Sequence, residues 1–123
     1  MVDRSSYSQP ATDPIAGPPL LDQMVKAIVE TAQPEKVILF GSRARETAHD
    51  KSDYDFLVVD AKPFDRNRSR RKAIAKISRV LASFRVPTDV LLHSTDEVTQ
   101  WSHSRNHVIG RAMREGKVLY ERS

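Results

Sequence analysis

A chain of 123 residues with 39% hydrophobic content suits one compact domain and leaves no room for a second. The absence of cysteine excludes a disulfide framework, a thiolate metal site and a thiol nucleophile. Twenty lysines and arginines against sixteen acids give a formal charge of +4 and a pI near 9.6, which favours anionic partners such as nucleotides, nucleic acid or an acidic protein surface.

The first nineteen residues hold four of the seven prolines and almost no large apolar side chains, so residues 1–19 are expected to be a flexible tail and residues 20–123 the folded domain. The tail lacks the basic start and apolar run of a secretory signal, and no stretch approaches the length of a membrane span. The expectation is a soluble, cytoplasmic protein with no membrane partner.

After Pro18-Pro19, the residues Leu21, Met24, Val25, Ile28 and Val29 recur at helical spacing, which predicts an amphipathic helix ending near Pro34. Lys36 to Phe40 is β-branched and aromatic and reads as a buried strand stopped by Gly41-Ser42. Arg43 to Ala48 has the composition of a short helix, and His49-Asp50-Lys51-Ser52 is turn chemistry. Tyr54 to Asp60 is a second strand, wholly apolar over Phe56-Leu57-Val58-Val59. Asp65 is the expected N-cap of a helix running to about Phe84, with Ile74, Ile77, Leu81 and Phe84 on one face. Thr88 to Leu92 is a third strand. Ser94 and Glu97 fit a capping box opening a helix that carries Val98, Trp101, Val108, Ile109, Ala112 and Met113, with Gly116 as its stop. Val118-Leu119-Tyr120 closes the chain as an edge. This order predicts an α/β (α+β) fold, a small mixed sheet packed against helices.

Asp53 and Asp55 stand two residues apart, so on a strand both carboxylates point to one face. Two acids on one face repel, and an oxygen-liganded hard cation such as Mg²⁺ between them removes the conflict. The alternative is that Asp53 caps a turn and Asp55 sits on an exposed edge. Asp89 lies on its own strand and, if that strand neighbours the second, brings a third carboxylate to the same face; otherwise it is a cap after Pro87. Three such acids suit two-metal phosphoryl chemistry. Gly41 allows close backbone approach to a phosphate and Ser42 adds a hydroxyl, although most glycine-serine pairs are only turns.

The pattern Gly41-Ser42, ten residues, then Asp53-Tyr54-Asp55 resembles the signature of the DNA polymerase beta-type nucleotidyltransferase superfamily. LFGSRAR followed by SDYDFLVV is especially similar to its minimal nucleotidyltransferases, and the likeness covers most of residues 20 to 121. The resemblance implies a polymerase beta-like fold in which Gly41 and Ser42 grip a nucleoside triphosphate. It also implies that Asp53, Asp55 and Asp89 are the catalytic, metal-holding carboxylates, with Asp89 the base. The cofactors it implies are two Mg²⁺ ions, with ATP as substrate. Arg43 and Arg45 either neutralise phosphate charge or are solvated helix residues. Many members carry glycine after the R-A-R run, where this chain has Glu46.

The chain lacks the extra helical domain of the superfamily's larger enzymes, so the acceptor is expected on another protein. Minimal nucleotidyltransferases pair with HEPN-domain toxins and act as antitoxins by AMPylating them, and the resemblance implies that role. The alternative, favoured by Glu46, is a binding module that neutralises its partner by contact. A third reading is nucleic-acid binding through the basic run Arg66 to Arg79, which lacks the interleaved aromatics of a stacking platform. His103 and His107 have no third ligand motif and read as incidental.

Overall fold

Four runs rich in Val, Ile and Leu form one sheet: β1 (Lys36–Phe40), β2 (Tyr54–Asp60), β3 (Thr88–Ser94) and β4 (Lys117–Glu121), in the order β3-β2-β1-β4. The computed structural model describes residues 19–44, 53–104 and 107–122. β1 runs antiparallel to β2 and to β4, and β2 runs parallel to β3, so the sheet is mixed as expected. The parallel pair is joined by a helix, as a crossover connection requires.

Helices cover both faces. α1 (Leu20–Ala32) and α2 (Arg70–Ala82) enclose Met24, Ile28, Val37, Leu39, Phe56, Val58, Ile77, Leu81 and Leu92 on one side. α3 (Thr95–Trp101) and α4 (Val108–Glu115) enclose Ile38, Leu57, Val59, Val98, Ile109 and Ala112 on the other. Two-sided burial explains why β2 reads as an unbroken apolar run: its even residues enter one core and its odd residues the other. Phe56, Leu57 and Val58 are all fully buried.

Several boundaries differ from expectation. The helix after Pro63 starts at Arg70, capped by Ser69, whose hydroxyl accepts from the Lys72 N–H at 3.2 Å. Asp65 instead accepts from the Asn67 N–H at 2.8 Å, in a local turn that bridges back to Arg68. Aspartate offers the backbone this alternative to helix, and the Arg68 guanidinium holds the turn down by donating to Asp60 and to the Lys62 carbonyl. α2 ends at Ala82, before Arg85 enters the left-handed region at φ 59.

The capping box forms as read: Ser94 accepts from the Glu97 N–H at 3.2 Å, and Glu97 accepts from the Ser94 N–H at 2.8 Å. The helix it opens, however, is two helices. α3 ends at Trp101, and α4 begins at Val108 with His107 as its cap, the imidazole Nδ1 accepting from the Ile109 N–H at 3.2 Å. His107 also stacks on Trp101 with ring centres 4.3 Å apart, so its role is structural, and the interruption removes the i, i+4 relation to His103.

Gly116 does stop α4, but with φ −78 and not in a left-handed cap. It is glycine because a Cβ there would lie 2.4 Å from the Ala112 carbonyl oxygen and 2.5 Å from Ile38 Cγ2. The expected tail, residues 1–19, lies outside the described residues except for Pro19, which precedes α1, and most of the expected short helix with its following turn falls in residues 45–52, also outside them.

Candidate nucleotide site

The strand register assembles the site. Phe40, the last residue of β1, pairs with Asp55 near the start of β2, and Asp55 pairs in turn with Asp89 near the start of β3. Asp55 therefore sits between two strand ends with a second carboxylate beside it. Partners in register present their side chains to one face, which here is the face of Leu57 and Val59 under α3 and α4. Tyr54 donates its N–H to the Pro87 carbonyl at 3.0 Å, which ties the entry of β2 to that of β3 and aligns the two acids.

Gly41 closes the other side. Its φ of 77 lies in the region that side chains avoid, and a Cβ built on it would fall 2.2 Å from Asp55 Oδ2. The Asp55 carboxylate thus rests against bare backbone, which only glycine permits. The turn continues through Ser42 and Arg43 to Ala44, whose N–H donates to the Gly41 carbonyl at 3.2 Å.

The other candidates are placed less centrally. Asp53 precedes β2 and is exposed, as is Asp89. Among the described residues no three His, Asp or Glu side chains gather closely enough to hold a metal. Arg43 places its guanidinium over the Tyr54 ring, 3.9 Å from the centroid, on the opposite side of β2 from Asp55. Arg45 and Glu46 lie outside the described residues.

The sequence reading missed α4 as a wall of this site. Val108, Arg111, Ala112 and Glu115 line a cavity of 240 Å³ together with Phe40 and Gly41. Their i, i+3, i+4, i+7 spacing was the available signal, but nothing local says that this face meets the glycine turn.

A second polar cluster lies at the far end of β3. Glu97 is bonded to Arg70 as well as to the Ser94 N–H, and His93 Nδ1 lies 3.4 Å from Glu97 Oε1 without hydrogen-bond geometry. Burial pushes the His93 imidazole below its ordinary pKa, against the pull of Glu97. Burial works to raise the Glu97 carboxyl, but the Ser94 N–H and Arg70 outweigh it and hold Glu97 below its ordinary value.

A four-stranded mixed sheet clasped by helices, with a glycine turn set against a strand-borne aspartate, is the architecture of polymerase beta-like nucleotidyltransferases. The family model described as Polymerase beta, Nucleotidyltransferase matches residues 23–123, and the chain belongs to that family. The match agrees with the likeness to minimal nucleotidyltransferases read from LFGSRAR and SDYDFLVV.

Among solved structures, a putative nucleotidyltransferase from Sulfolobus solfataricus is 21% identical, with a TM-score of 0.57 over 84% of this chain and 78% of that one. A toxin–antitoxin structure with AMP-PNP is 20% identical, with a TM-score of 0.51 over 85% of this chain and 76% of that one. A doubly substituted mutant of the toxin–antitoxin MntA–HpeT is 18% identical, with a TM-score of 0.51 over 83% and 74%. At these identities the likeness shows the fold. No curated protein matches the sequence.

Proposed function

We propose that this chain is a cytoplasmic antitoxin that transfers AMP from ATP to a hydroxyl on a HEPN-domain toxin, with Asp53, Asp55 and Asp89 as its catalytic carboxylates. The observation that carries the reading is the register of Asp55 beside Asp89 with Gly41 packed against the Asp55 carboxylate. Support for the nucleotide comes from the fold relative bound to AMP-PNP. Support for the carboxylates and the partner comes from the MntA–HpeT mutant, in which two aspartates two positions apart are changed to glutamate, the spacing of Asp53 and Asp55.

All three acids offer the oxygen ligands that hard divalent cations take, and neither Asp53 nor Asp89 has an ion-pair partner among the described residues, although the three are not gathered there into a ready-made metal site. When bound, two Mg²⁺ ions would offset the triphosphate charge and steady the in-line geometry. The Gly41 turn offers backbone N–H groups and the Ser42 hydroxyl to phosphate oxygens. Asp89, the more exposed member of the pair, takes the proton of the acceptor hydroxyl as its oxygen bonds the α-phosphorus. The α–β anhydride bond breaks and pyrophosphate leaves, so one phosphoester replaces one anhydride.

A second reading rests on Glu46, an acid where the resemblance has glycine: the fold then neutralises its partner by contact alone. Labelled ATP, purified chain and partner separate the two. Asp53→Asn with Asp55→Asn is expected to abolish both transfer and neutralisation. Neutralisation that survives the loss of transfer establishes the contact reading.

A further inference from the structure

The charge of this chain is not spread over it. Eight of the twenty cations and none of the sixteen acids lie between Arg66 and Thr88, so the rest of the chain is net acidic. α2 sits at the centre of that segment. Two of the cations are spent internally, Arg68 on Asp60 and Arg70 on Glu97. Lys72, Lys76 and Arg79 are exposed and have no acidic partner among the described residues.

Those three side chains stand at i, i+4 and i+7, on one face of the helix. They line a groove of 460 Å³ between α2 and the C-terminal end of α1, floored by Ile77 and Leu92. Their helical rise of 1.5 Å per residue separates them by about 6 and about 4.5 Å along the axis, the scale of successive phosphates on a nucleic-acid strand. Protein interfaces of stable complexes carry aromatic and apolar anchors at their centres. Among the described residues, the exposed large apolar ones, Trp101, Val108 and Val118, all lie elsewhere. Among the described residues the groove lining contains no aromatic ring on which a base could stack.

We propose that this groove is a second binding site, for the phosphodiester backbone of a nucleic-acid duplex, read without base specificity. It is separate from the nucleotide site. Asp60 marks its end of β2, five residues or about 16 Å along the strand from Asp55, and it faces the other side of the sheet. A bound duplex therefore leaves the Gly41 turn open.

The test is fluorescence anisotropy of the full chain with a labelled DNA duplex, the matching single strand and an RNA duplex, across a salt series. Three phosphate contacts release enough counterion that affinity for a DNA duplex falls about 40-fold between about 50 and about 200 mM salt. Lys72→Ala with Lys76→Ala and Arg79→Ala keeps good helix formers at exposed positions and is expected to flatten that slope, with circular dichroism unchanged. Asp53→Asn with Asp55→Asn is expected to bind the duplex as the parent does, so this result and the fate of the transfer reaction are read independently. Absence of duplex binding at low salt, a slope untouched by the triple substitution, or displacement by polyglutamate as effective as by duplex of equal charge would each overturn the proposal. The last would make the groove a seat for an acidic protein segment.

Discussion

Gly41→Ala probes the site without altering any charged group. The substituted Cβ would fall 2.2 Å from Asp55 Oδ2 and 3.2 Å from its Cγ, whereas ordinary contact begins near 3.4 Å, so the carboxylate must retreat by about an ångström. The backbone cannot yield instead without leaving φ 77, a region that costs a side chain about 1–2 kcal/mol. Displacing one positioned group by about 1 Å lowers a rate by on the order of 100-fold. The expected result is therefore a modest loss of stability in urea together with a loss of nucleotide transfer to about 1% of the parent rate. Gly116→Ala supplies the control. Its Cβ would meet the Ala112 carbonyl oxygen and Ile38, in the core under α4 and not at the carboxylates. Transfer by Gly41→Ala at the parent rate, in folded protein, would refute the claim that the Asp55 carboxylate seated on bare backbone sets the chemistry.

Other consequences are simpler to measure. Gly116→Ala is expected to lose about 1–3 kcal/mol in urea denaturation by overpacking, with transfer per folded molecule retained. Ser94→Ala removes the acceptor for the Glu97 N–H and should cost about 1 kcal/mol by the same assay. His93 is depressed below its ordinary value of 6.5, so its contribution is complete above that pH and declines as pH falls from 6.5 toward the lower folded value, where the unfolded chain alone takes up the proton. His93→Gln should flatten the stability profile in that window. Glu97, also depressed, contributes above 4.5 and is lost as pH falls through its own folded value, so that second decline should remain in His93→Gln and disappear in Glu97→Gln.

The local parts of this site were legible before the fold was seen. Alternation alone puts Asp55 on the face of β2 opposite Tyr54 and Phe56, whereas Asp53, expected on that strand, precedes it; Gly41-Ser42 reads as a break after Phe40. The pairing of Asp55 with Asp89 was not legible, because strand register across thirty-four residues depends on which cores close, not on any neighbouring residue. The same holds for α4 against Gly41: its spacing marks a face, and only packing says what that face meets. The errors at helix ends have a shared cause. Asp65 and Ser69 are both competent caps, and the choice fell to Ser69 because Arg68 is drawn back to Asp60, a contact between elements. His107 read as an incidental histidine because a ring nitrogen capping a helix has no sequence signature.

In the proposed function, the carboxylates beside Gly41 move a nucleotide onto another protein. Intact-mass spectrometry of the proposed partner toxin, purified after co-expression with this chain, is the decisive test. The account predicts a gain of one or more AMP units, absent when Asp53→Asn and Asp55→Asn are introduced together. A neutralised partner of unchanged mass would contradict it.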